Sequence, residues 1–196
     1  MTSPSSVSGV WRRGWSVDVH TTSSQYLGDD EHGHPQFDTT RSELGELLYR
    51  LKYRGEDQNA GVIAEILADF LSTKPNAMSR VDAIVPVPPS SRRARQPVLA
   101  IARELGKLLD LPVLEDAVSK TKNTPELKGV FDAEKRREYL DNAFVAIAEA
   151  VSGKGVLLVD DLYRSGATAN AVAHALVTAE SSPVYFLAAT RTRSNA

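Results

Sequence analysis

Residues 156–168 read Val156-Leu157-Leu158-Val159-Asp160-Asp161-Leu162-Tyr163-Arg164-Ser165-Gly166-Ala167-Thr168, and their order decides the fold. Consecutive aliphatic residues suit a central parallel strand buried on both faces. Two acids stand where such a strand would end. The next residues supply a turn, a glycine, two hydroxyls and the start of a helix. In sheets of this kind, ligands settle beyond the carboxyl ends of the strands. Backbone N–H groups at a helix start lack internal partners and can seat a phosphate. Gly166 permits close approach of the backbone, and Ser165 and Thr168 offer further donors. Asp160 and Asp161 would repel a phosphate they faced, but carboxylates accept hydrogen bonds from vicinal hydroxyls. A phosphate cradle beside a diol acceptor pair describes a ribose 5-phosphate site. The same residues also fit a plain strand, turn and helix cap with two solvated aspartates. No Gly-x-x-x-x-Gly-Lys-Ser/Thr is present to make a triphosphate loop. Gly153-Lys154-Gly155 precedes the strand, at the wrong end for phosphate, and reads as a turn.

Outward from this point the chain alternates strands with helices, the pattern of an α/β fold. Apolar residues predict strands over 81–87, 111–114, 144–147 and 184–189, and helices over 98–108 and 167–179. Upstream, Thr40 and Glu43 stand in capping-box spacing before Leu44, Leu47, Leu48 and Leu51, a helix that Gly55 closes. A second helix follows Asp57, with Val62, Ile63, Ile66, Leu67, Phe70 and Leu71 on one face. Val17 and Val19 flank Asp18 in a strand-like stretch, and 29–35 reads as a polar turn. Residues 119–138 are polar and broken by Pro125 and Gly129, a long mobile excursion of the kind that is often functional. The division expected is a disordered tail over 1–10, a strand and helical appendage or hood over 11–80, and a core over 81–196.

Composition sets outer bounds. The chain has 196 residues, 42% hydrophobic and 24% charged, enough apolar material for one sizeable core. A net charge of −2 gives no general case for nucleic acid or an anionic membrane. The absence of cysteine excludes disulfides, thiolate metal sites and cysteine nucleophiles. No apolar run reaches the roughly 18 residues of a membrane helix, and the first residues lack a secretory pattern. A cytoplasmic protein is the expectation. His32 and His34 near Asp29 and Asp30 fit either a metal site or a solvated turn. Trp11, Trp15 and Tyr26 fit either a base-stacking hood or a small satellite core.

Residues 156–168 resemble the 5-phosphoribosyl 1-pyrophosphate (PRPP) motif of type I phosphoribosyltransferases at nearly every position. Further islands resemble the ComF-like group: Leu51-Lys52-Tyr53-Arg54-Gly55, Val85-Pro86-Val87-Pro88, Lys120-Thr121-Lys122-Asn123-Thr124-Pro125 and Ala143-Phe144. The resemblance implies the type I phosphoribosyltransferase fold, a mostly parallel twisted sheet flanked by helices with a small N-terminal hood. It implies that Arg164, Ser165, Gly166, Ala167 and Thr168 hold the 5′-phosphate. Asp160 and Asp161 would hold the ribose, and Ser90, Ser91 and Arg92 the pyrophosphate. Arg93 and Arg95 fit that loop or a solvated helix start equally. A flexible loop would close over PRPP, with Lys120, Lys122 or Lys128 on the departing pyrophosphate. Mg²⁺ would bridge PRPP oxygens, with Asp160 and Asp161 as its nearest protein oxygens. The partners implied are PRPP and a nitrogenous acceptor, with a homodimer compatible. Two departures stand out: the four-cysteine zinc module of many ComF-like chains is absent, and Arg95-Gln96-Pro97 replaces the usual Arg-Gly-Phe-Asn-Gln. A second reading is a PRPP- or nucleotide-binding regulator, or a factor in nucleic-acid processing, that keeps the fold without turnover.

Overall fold

The computed structural model describes residues 2–89, 96–121 and 143–193. Its central element is a five-stranded sheet. In chain order the strands are β1 (Ser5–Val7), β2 (Arg13–Val19), β5 (Ala83–Pro86), β8 (Val156–Tyr163) and β9 (Val184–Arg191). Their order across the sheet is β1-β2-β9-β8-β5, and every pairing is parallel except β1 with β2. The mixed α/β architecture expected from the alternating pattern is therefore present. The strand expected over 111–114 shrinks to one parallel bridge from Val113 to Ile84 beyond β5.

The period of two along each strand divides the core. Leu157 and Val159 of β8, with Tyr185, Leu187 and Ala189 of β9, face one side of the sheet. There they meet α1 (Glu43–Tyr49), α2 (Asn59–Ser72) and α4 (Pro97–Leu109). Val156, Leu158, Val184, Phe186 and Ala188 face the other side, against α6 (Ala167–Thr178). A small antiparallel pair, β6 (Val118–Lys120) and β7 (Phe144–Ala146), packs over α6 through Val118 and Phe144. The two short helices are α3 (Pro75–Met78) and α5 (Ala148–Val151).

The N-terminal region differs from expectation. Ser5–Val7, within the stretch read as a disordered tail, pairs with β2. β2 itself lies inside the sheet against β9, and Trp15 and Val17 share a core with Leu44, Ile63 and Leu187. Two helices of residues 11–80 cover one face of the sheet. Trp11 and Trp15 are core residues on opposite faces, Trp11 stacked on Phe186 at 4.4 Å and Trp15 on Tyr185 at 6.1 Å. The part that does project is a hairpin of β3 (Thr21–Asp29) and β4 (Pro35–Arg41), which follows the carboxyl end of β2. Its exposed face carries Tyr26 and Phe37, whose rings lie 5.5 Å apart. At its tip Asp30 accepts the amides of His32 and His34, each at 2.9 Å, so the polar turn forms as expected. Among the described residues no cluster of His, Asp and Glu suits a metal ion.

The first helix starts two residues later than its sequence signal. Thr40 remains in β4, and Ser42 is the cap, its Oγ accepting from Gly45 N at 3.0 Å. α1 then widens into a π-helical turn over Arg50–Arg54, ended by Gly55 at φ 72°. That turn carries Lys52 to the sheet end. Gly155, just before β8, lies so close to the turn after α3 that an added Cβ would fall 1.7 Å from Arg80 O. It is a packing glycine, as its position before the strand requires.

Candidate functional site

β8 places Asp160 and Asp161 at the carboxyl end of the sheet, beyond the buried run 156–159. Both are half-buried. Asp160 Oδ1 accepts the Asp161 amide at 2.8 Å. Burial, and then the neighbouring charge of Asp161, push the Asp160 carboxyl up to about 7. Lys52 works against that rise, and its Nζ meets Asp161 Oδ2 at 3.1 Å. The acid pair therefore carries its own counter-ion, delivered from the π-helical turn.

Tyr163 sets the turn that follows. Its ring lies 5.8 Å from Phe186 and edge-on to Trp11 at 6.4 Å, which ties the end of β8 to the core. Gly166 sits against it at φ 72°, where a Cβ would fall 2.6 Å from Tyr163 Oη. Only glycine fits both the conformation and the space. α6 begins at Ala167, and among the described residues no side chain caps its first amides. Asn170 bonds the Gly166 carbonyl and the Val10 amide, leaving the N-terminal donors alone. Arg164, Ser165 and Thr168 are exposed around this opening. A helix of this length with free first amides has the geometry and dipole to hold an anion.

A further chain of contacts reaches the aspartates from β2. Thr190 Oγ1 donates to Asp161 O at 3.2 Å and lies 3.1 Å from His20 Nδ1. Because the one hydroxyl proton is committed to Asp161 O, Nδ1 is the donor in the second bond. Burial, followed by the positive charge of Arg41, lowers the His20 pKa and favours the neutral ring. Arg41 also lies 3.8 Å over the Tyr49 ring. Neither Lys52 nor His20 was singled out in the sequence as a site residue. Lys52 did stand within the island 51–55, while His20 carried no local signal.

Of the remaining expected site residues, Lys120 ends β6 opposite Phe144, and no hydrogen bond joins it to either aspartate. Ser90, Ser91, Arg92, Arg93, Arg95, Lys122, Lys128 and Arg136 lie outside the described residues. β5 itself ends beside the aspartates, since Pro86 pairs with Val159 and Val87 N donates to Val159 O at 2.8 Å.

No protein-family profile matches the chain. Competence protein F of Haemophilus influenzae is 28% identical over 141 residues, which is 68% of this chain and 61% of that protein. The chain thus spans less than two thirds of that relative's length. An adenine phosphoribosyltransferase crystal structure superposes with a TM-score of 0.47 at 14% identity, covering 86% of this chain and 93% of that one. At that score and identity the superposition carries no weight for fold or function. No helix among the described residues is long and apolar enough to cross a membrane.

Proposed function

We propose that the protein binds PRPP and transfers its 5-phosphoribosyl group to a nitrogenous acceptor, releasing pyrophosphate. The observation that carries this reading is the uncapped start of α6 at Ala167, which follows the end of β8 only a short turn after Asp160 and Asp161. The first amides of α6, with Ser165 and Thr168, take the 5′-phosphate. Asp160 and Asp161 accept the ribose hydroxyls. The resemblance of residues 156–168 to the type I phosphoribosyltransferase motif supports the same ligand.

In the reaction, the C1–O bond to pyrophosphate breaks with its electron pair as the acceptor nitrogen donates a pair to C1, and the nitrogen then loses a proton. The chain contributes position and charge, with no protein nucleophile. Asp160 and Asp161 offer hard oxygen donors, and a ligand-held Mg²⁺ needs few protein ligands, so the residues fit it. When bound, Mg²⁺ would neutralise charge on the pyrophosphate. Lys52 steadies Asp161 when no ligand is present. Lys120 and Lys122 remain candidates for the pyrophosphate side, as do Ser90, Ser91 and Arg92.

A second reading is a PRPP-binding regulator or nucleic-acid-processing factor without turnover. The match to Competence protein F, named for competence and not for transfer, favours it. Incubation with PRPP, Mg²⁺, ammonia and a panel of bases separates the two. Pyrophosphate release supports the transferase, and tight PRPP binding without release supports the regulator. Asp160→Asn with Asp161→Asn should abolish PRPP binding while the fold persists. Unchanged affinity would remove both readings.

A further inference from the structure

The amino end of the sheet, opposite the site above, holds a cavity of about 480 Å³. Its wall brings together Arg12 and Arg13 at the start of β2, Lys74 and Asn76 around α3, and Arg80 before β5, with Trp15 in its lining. No carboxylate among the described residues lines it. Among the described residues, no carboxylate forms an ion pair with Arg12, Arg13, Lys74 or Arg80, while other exposed cations such as Arg50 and Arg103 have acid partners. Lys74 is held in place by a neutral hydroxyl, Thr73 Oγ1 at 3.0 Å, and by the Phe70 ring at 4.7 Å. Asp82, the nearby acid in sequence, is not part of the lining and accepts the Gly155 amide at 2.8 Å. Like charges gathered without counter-ions repel one another, and the arrangement is relieved by an anion. The guanidinium groups suit phosphate oxygens, which they can bind bidentately.

The volume falls in the range of small-molecule sites. We propose that this cavity binds a small polyphosphorylated anion, at a site separate from the α6 cradle. The two sites lie at opposite ends of the same strands. Arg13 opens β2 and Val19 closes it, so an occupant of the cavity cannot share the ligand of Asp160 and Asp161. The proposal is independent of what the cradle binds.

Trp15 provides the readout. Trp11 is the other of the two tryptophans, so a Trp11→Phe chain reports on Trp15 alone. Titration of that full-length chain with inorganic tripolyphosphate should change Trp15 emission saturably, at one anion per chain. Excess ribose 5-phosphate should not compete. Arg13→Gln with Arg80→Gln should weaken the binding at least tenfold. Asn76→Asp, which adds an exposed carboxylate to the rim, should do the same if the double variant fails to fold. A titration with no saturation, competition by ribose 5-phosphate, or affinity that survives these substitutions would overturn the assignment. Tighter binding of a single-stranded oligonucleotide that displaces tripolyphosphate would overturn it too, by making the site a nucleic-acid contact.

Discussion

Lys52 Nζ lies 3.1 Å from Asp161 Oδ2 although the two residues are 109 positions apart in the chain. This contact joins the helical turn after α1 to the mouth of β8 and balances one of two adjacent acids. The side chains keep 28% and 15% of their surface, so the pair is screened only in part.

Lys52→Met should leave the two carboxylates opposed. The expected cost is about 1–2 kcal/mol at pH 8, less than for a fully buried pair. The Asp160 titration should also move upward, because Lys52 holds it down. Denaturant unfolding and carboxyl NMR titration measure both. A variant with unaltered stability and titration would show that the contact is idle.

Asp160 makes stability depend on pH in a set direction. Its carboxyl titrates at about 7 when folded, against an ordinary 3.8. The folded chain therefore binds the extra proton, and the contribution is complete below pH 3.8 and lost as pH rises through about 7. Asp160→Asn should raise Tm at pH 8 by roughly 2–6 °C, with the gain vanishing near pH 4. Equal gains at both pH values would contradict the assigned shift. Where the ionised carboxyl accepts the ribose hydroxyls, PRPP affinity of the unmodified chain should rise between pH 6 and 8.

Gly166→Ala tests the cradle. The new Cβ would meet Tyr163 Oη at 2.6 Å from a positive φ. The expected loss is about 1–3 kcal/mol of stability, with at least a tenfold drop in ribose 5-phosphate affinity. Calorimetric titration reads the second effect. An alanine variant that binds normally would place the phosphate elsewhere.

Two other glycines should respond in opposite directions. Gly155→Ala drives a Cβ to within 1.7 Å of Arg80 O, which is backbone and cannot swing aside. It should cost about 2–3 kcal/mol or more. Gly61, inside α2, has open space around its missing Cβ. Gly61→Ala should stabilise by about 0.5–1 kcal/mol through helix propensity. Parallel urea titrations of the two variants decide the matter.

What could be read from the sequence was local. The apolar run 156–159 announced a central strand, and the residues after it announced a turn and a helix start, because each depends on neighbours within a few positions. Leu44, Leu48 and Leu51 showed their helix for the same reason, although its cap moved from Thr40 to Ser42 once β4 claimed Thr40 for pairing. The place of β2 was not legible. Trp15 faces Leu187 across the β2–β9 pairing, and no local pattern records a partner so distant. His20 was missed likewise, since its contact to Thr190 exists only after that pairing forms. Lys52 showed itself only as part of a motif, because the π-helical turn that aims it has no periodic signature.

The position of β9 between β2 and β8 has a consequence for biosynthesis. All its sheet neighbours are translated earlier, so a nascent chain carries a vacant slot flanked by unpaired strand edges until residues 184–191 leave the ribosome. Closure is then a late, long-range event, and both faces of the core await it. Premature termination before that strand should yield an insoluble product in place of a smaller working domain.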